Sequence, residues 1–217
     1  DRILVYLGQR HPLPCNAIIR MGDLVTLTRN SLRDPALAVR QLQSLNLPMQ
    51  ARWMALAVVV ALSAILGTLA MQIFPELAEG GLGIPVLSPL ARVALQTGGM
   101  VLTAWLIATV GRAFGGQGDF PDALLIVIWL EFLLLVAQAA QVVLMLVFPF
   151  FGSILGIAAL VVIAWLSVQM IKALHGFSSA FMVFVGLIGA TLVTLIFLTV
   201  LAGAFGLMPQ LPPEVQP

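Results

Sequence analysis

The residue best placed to do chemistry is Glu131, the single charge in the apolar stretch from Ala123 to Val147. Gln138 follows seven positions later and Gln141 three beyond that. On a helix these spacings put all three side chains on one face. Glu131 lies about nine residues into the stretch, or roughly 13 Å along a helix. An ionisable group at that depth is costly in hydrocarbon and faces a bundle interior. Two readings of the stripe Glu131, Gln138 and Gln141 stay open. It is a relay for protons or a small solute, or it is a set of interhelical hydrogen bonds holding helices together. A relay needs a polar companion on another helix, and Ser167, Thr191, Thr194 and Thr199 are the candidates.

Other chemistries find no residues. Cys15 is the only cysteine, and with His11 and His175 it makes no metal set. No Ser-His-Asp or Cys-His arrangement and no working carboxylate pair can be drawn, so no catalytic residue, cofactor or metal is expected. The loop Gly115-Gly116-Gln117-Gly118-Asp119-Phe120 lacks the Lys-Ser/Thr of a phosphate loop and follows no strand. It reads as a flexible turn, with Asp119 or Asp122 capping the next helix. His175 precedes Gly176 at a helix C-terminus, where imidazole favours the dipole, and Ser178 is the expected next N-cap.

These groups must be carried by membrane helices. The chain has 217 residues, 61% of them apolar and only 9% charged. Soluble domains carry about 25% charged residues, so ordinary soluble and disordered classes are excluded. Five apolar segments are expected to span the membrane, at about 53–73, 93–110, 123–147, 152–170 and 181–205. Each is close to or above the ~20 helical residues that a bilayer core requires. A barrel would alternate polar and apolar residues instead. The fold class is therefore an all-α polytopic membrane protein, five transmembrane helices with a short N-terminal amphipathic interfacial helix. Gly152 with Gly156, and Gly186 with Ala190, are small-residue pairs suited to close helix packing.

Around this body, residues 1–27 read as a loose arm, either genuine or the product of a start assigned upstream of Met21. Residues 28–52 read as an amphipathic segment with Asp34 as N-cap and Pro35 in its first turn, lying in the headgroup layer, with packing on a protein surface as the alternative. Residues 208–217 form a Pro-rich tail. Residues 1–52 hold seven of the ten basic residues against three acids. With Arg112 and Lys172 this places nine basic residues on one side, so the N-terminus is expected in the cytoplasm and the C-terminus in the periplasm of a bacterial inner membrane. The basic segment suits an anionic membrane face and is too sparse for nucleic acid.

Three stretches carry a family resemblance. They are Asp34-Pro35 ahead of the first span, Gly115-Gly116-Gln117-Gly118-Asp119-Phe120-Pro121-Asp122-Ala123 opening the third, and Leu174-His175-Gly176-Phe177-Ser178-Ser179-Ala180 between the last two. Over roughly Thr28 to Leu207 the chain resembles the Yip-domain family of multispanning membrane proteins, in its bacterial form. The resemblance implies five spans and a non-enzymatic role as an adaptor, assembly or membrane-organising component. It also implies a membrane-protein partner or self-association beside the lipid bilayer. Eukaryotic relatives bind small GTPases through cytoplasmic segments. The expected contact residues are Arg33, Arg40, Gly115, Gly116, Gly118, Phe120, His175 and Gly176. The competing reading is a small transporter or channel subunit using Glu131, Gln138 and Gln141.

Overall fold

The computed structural model describes residues 21–75 and 89–204. The expected arm before Met21, most of the loop after the first span and the tail lie outside the described residues. Two short helices, α1 (Met21–Arg33) and α2 (Pro35–Ser44), precede five long ones. These are α3 (Met49–Ile73), α4 (Pro89–Ala113), α5 (Phe120–Val147), α6 (Pro149–His175) and α7 (Ala180–Ala204). All five are long and apolar enough to cross a membrane. This is the all-α, five-span class expected from composition, with short helices ahead of it.

The break between α1 and α2 is local chemistry. The Asp34 amide donates to the Asn30 carbonyl at 2.7 Å and closes α1. Asp34 Oδ1 then accepts from the Leu37 amide at 3.0 Å and opens α2, with Pro35 in the first turn where its missing N–H costs nothing. Residues 21–27, expected in the arm, are therefore the first turns of a helix. Beyond α2, Asn46 adopts φ 44°, a left-handed conformation that Asn tolerates better than most residues, and reverses the chain into α3.

α2 is not an isolated interfacial helix. It buries Ala38, Val39 and Leu42 against α5 and α6, while Arg40 faces outward. The short N-terminal amphipathic helix expected from sequence is present and docks on protein along its apolar face. Three apolar side chains on a ten-residue helix find a better-packed surface there than in lipid.

α5 is the hub. Half of its apolar window is buried, against 17–28% for the other spans, and it packs on α3, α4 and α6. α7 is the most peripheral, touching α4 and α6. It exposes Phe181, Val185, Leu192, Ile196 and Val200, an apolar surface that only lipid or another apolar partner can cover. Where α5 turns into α6, a methyl at Gly152 would strike the Met145 side chain and come within 2.9 Å of its backbone nitrogen. A methyl at Gly156 would strike the Gln141 carboxamide. Gly186 has open space around it, and Ala190 is buried.

Candidate functional site at the His175 end of the bundle

Five spans in alternation bring the start of α3, the end of α4, the start of α5, the end of α6 and the start of α7 to one end, beneath α1 and α2. The sequence singles out most of its polar residues at this end.

Gly176 ends α6 at φ 71°, a backbone state glycine takes without steric cost, and the Phe177 amide folds back to the Lys172 carbonyl at 3.0 Å. This turns His175 inward, to 2% exposure. Its Nδ1 accepts a hydrogen bond from the Gly118 amide at 3.1 Å, and its ring stacks on Phe177 with centroids 5.3 Å apart. An accepting Nδ1 defines the neutral tautomer with its proton on Nε2. Nε2 is buried without a hydrogen bond of ordinary geometry; the Ile107 carbonyl is an acceptor near the ring. Methyls at Gly111, Gly116 and Gly118 would each collide with the imidazole. The glycines of the polar loop therefore form a socket for a histidine 57 residues further along the chain. His175 is a peg between α6 and the α4–α5 loop, a role larger than the helix-end cap expected from sequence. The next helix is capped by Ser179, whose Oγ accepts from the Met182 amide at 3.4 Å, and not by Ser178.

A second joint was not foreseen. Asp119 caps α5, accepting from the Asp122 amide at 2.9 Å, which leaves the Asp122 carboxylate free for other partners. Arg52 Nη1 donates to Asp122 Oδ1 at 3.0 Å, and Gln43 Nε2 donates to Oδ2 at 2.8 Å. Arg52 Nε also donates to the Leu47 carbonyl at 3.0 Å. One carboxylate thus ties α2, α3 and α5. A third joint fixes α1: Trp129 Nε1 donates to Ser31 Oγ at 2.9 Å, and Ser31 in turn donates to the Leu27 carbonyl. In sequence, Arg52 at the head of a span reads only as a flanking positive charge, and Trp129 only as an apolar residue.

The residues expected at a contact surface divide. Arg33, Arg40, Gly115 and Gly176 are exposed. Gly116 and Phe120 are half-buried, and Gly118 and His175 are buried against one another. Arg29 joins the exposed arginines on α1 and α2.

Deeper in the bundle, Glu131 Oε1 accepts from Gln96 Nε2 at 2.7 Å and from Ser63 Oγ at 3.2 Å. The carboxylate links α5 to α4 and α3. Its companions are these two residues. Ser167 and Thr191 bond carbonyls of their own helices, and Thr194 is buried with its hydroxyl unpartnered. Gln96 is the side-chain amide in the second span and was the available signal. Glu131 lines a cavity of about 340 Å³ with Gln96, Thr103 and Ser167. Gln138 and Gln141 line a different cavity, of about 240 Å³, beside Arg92. The three stripe residues share a helix face without sharing a cavity.

Five membrane-length helices, with polar joints clustered at one end and a bonded carboxylate midway, define a polytopic helical membrane protein with its own docked helical platform. A family model, the Yip1 domain, matches residues 29–202, and the chain belongs to that family. Neither the curated proteins nor the solved structures compared with the chain include a match.

Proposed function

We propose that the protein is a non-enzymatic adaptor, assembly or membrane-organising component of a bacterial inner membrane, with its N-terminus cytoplasmic and C-terminus periplasmic. The observation that carries this reading is the α1–α2 platform. It presents Arg29, Arg33 and Arg40 outward, none of them in an ion pair among the described residues, on helices pinned to the bundle by the Trp129–Ser31 and Gln43–Asp122 hydrogen bonds. Lysine and arginine near spans favour the cytoplasmic side, which supports the orientation. A rigidly held basic face loses little entropy on docking and suits an acidic protein surface, including that of a membrane-protein partner. Membership of the Yip1-domain family supports an interaction role.

The test is quantitative mass spectrometry of complexes isolated in mild detergent. Wild type is compared with Glu131→Gln and with a variant in which Arg29, Arg33 and Arg40 are neutralised. A stoichiometric partner kept with Glu131→Gln and lost without the arginines is the expected result. The absence of any enriched partner in all samples sinks the proposal.

The cavity beside Glu131 favours a second reading, a small transporter or channel subunit. A path that also runs through Gln138 and Gln141 is weakened by their position in a separate cavity. Proton flux in liposomes that disappears with Glu131→Gln would favour it.

A further inference from the structure

The opposite end of the bundle holds a second polar constellation. Arg92, in the first turn of α4, is half-buried between α3 and α4. Its Nη2 donates to the Met71 sulfur at 3.1 Å, a weak acceptor for a full positive charge. No carboxylate pairs with it among the described residues. Gly67 leaves room beside it: a methyl there would sit 3.2 Å from Arg92 Nη1, a tight contact. Across the same 240 Å³ cavity lie Gln138 and Gln141 of α5, and neither carboxamide has a hydrogen-bond partner among the described residues. The remaining walls are apolar, among them Leu66, Phe74 and Val142.

The level of this cavity is informative. Gln141 is six residues from the end of α5, or about 9 Å along the helix, and Gln138 about 14 Å. Arg92 and Met71 are within a turn of their own helix ends. This is where headgroups give way to acyl chains. A guanidinium without an anion, and two amides without partners, among the described residues are costly at that level unless something supplies oxygen acceptors. Water can solvate them in part, but a phosphate oxyanion meets a guanidinium with paired, charge-assisted hydrogen bonds. The amides can add donors to the phosphate or to neighbouring ester oxygens, and the apolar walls suit an acyl chain.

We propose that Arg92, Gln138 and Gln141 form a binding site for the phosphate of an anionic phospholipid at the end of the bundle away from His175. The site is independent of the adaptor reading, because it uses none of the residues at the His175 end.

The test uses the full chain, purified in mild detergent and placed in phosphatidylcholine nanodiscs with graded phosphatidylglycerol. Native mass spectrometry reads retained lipid, and thermal unfolding reads saturable stabilisation. Wild type is expected to retain phosphatidylglycerol and to rise in Tm with it. Arg92→Gln should weaken that binding about tenfold or more, and Arg92→Lys should restore part of it. The double variant Gln138→Leu/Gln141→Leu should weaken it about threefold or more with Arg92 intact. Arg112→Gln, an exposed arginine at the other end of the same helix, should leave it unchanged. Unchanged lipid affinity in Arg92→Gln overturns the proposal. If that variant does not fold, unchanged affinity in the double glutamine variant overturns it. Displacement of the lipid by inorganic phosphate at equal concentration overturns the lipid assignment, because it would identify the site as one for the free anion.

Discussion

The Gly118 amide and the His175 imidazole, 57 residues apart, meet in a hydrogen bond of 3.1 Å inside a socket that only glycines leave open. The polar loop and the histidine turn, two separate motifs in the sequence, are therefore one structural device. It locks the end of α6 to the connection between α4 and α5. Both partners are buried against one another, so the device is a fixed joint of the bundle at this end.

Gly118→Ala tests the socket. Its methyl would lie 2.7 Å from both His175 Cε1 and Leu174 Cγ, and overpacking of this kind costs about 1–3 kcal/mol. Thermal unfolding in detergent should show a lower Tm. His175→Ala alone should also destabilise. The combination Gly118→Ala/His175→Ala should cost less than the sum of the two, because the truncated ring no longer meets the methyl. Strict additivity would show that the two residues do not share a site.

Asp122 sets the next expectation. Removing one partner of a well-buried ion pair costs about 3–5 kcal/mol, because the other charge is left without compensation. Asp122 is partly exposed, at 24% for its side chain, against 9% for Arg52. Asp122→Ala should therefore fall near or below the bottom of that range. Arg52→Met/Asp122→Leu should recover much of the loss, since the pair's desolvation is also removed. A double variant as unstable as Asp122→Ala would count against this account of the joint.

The fold was legible for a simple reason. Five apolar runs of membrane length, bounded by Pro, Gly and charged residues, admit few alternatives in a chain with 9% charged residues. Asp34-Pro35 and Gly176 likewise announce their backbone roles locally. What was hidden is long-range. Nothing near Gly111, Gly116 or Gly118 names His175 as their occupant. Arg52 and Asp122 are 70 positions apart, and locally each reads as something ordinary, a flanking charge and a candidate helix cap. The stripe Glu131, Gln138 and Gln141 obeys helical spacing, yet neighbouring helices divide that face between two cavities, which periodicity on one helix cannot reveal. The surface that α2 packs against was likewise hidden, because an amphipathic face reads the same whether lipid or protein covers it.

Trp129→Phe tests how α1 is held. The indole N–H donates to Ser31 Oγ at 2.9 Å with Ser31 fully buried, and phenylalanine keeps most of the apolar volume while removing the donor. A net loss of about 1 kcal/mol is expected. Hydrogen exchange should quicken across Met21–Arg33 and stay unchanged in α7, which packs on α4 and α6. Equal quickening throughout would show that Trp129 supports the whole bundle and not α1 in particular.

Glu131 separates geometry from chemistry. Its Oε1 accepts from Gln96 and Ser63, so Glu131→Gln retains an acceptor oxygen at that position while abolishing ionisation. Glu131→Leu leaves both donors without an acceptor. Interhelical hydrogen bonds in membranes are worth about 0.6 kcal/mol on average and up to about 1.7 kcal/mol. Glu131→Gln should accordingly unfold within a few degrees of wild type, and Glu131→Leu should be clearly less stable. Adding Gln96→Leu to Glu131→Leu should restore stability, because an unpaired amide is replaced by an apolar side chain. A carboxylate that acts only as a fastener predicts that Glu131→Gln keeps every functional readout. Loss of function in that variant, with stability intact, would show that the proton on Glu131 matters and would move the weight of evidence to the transport reading.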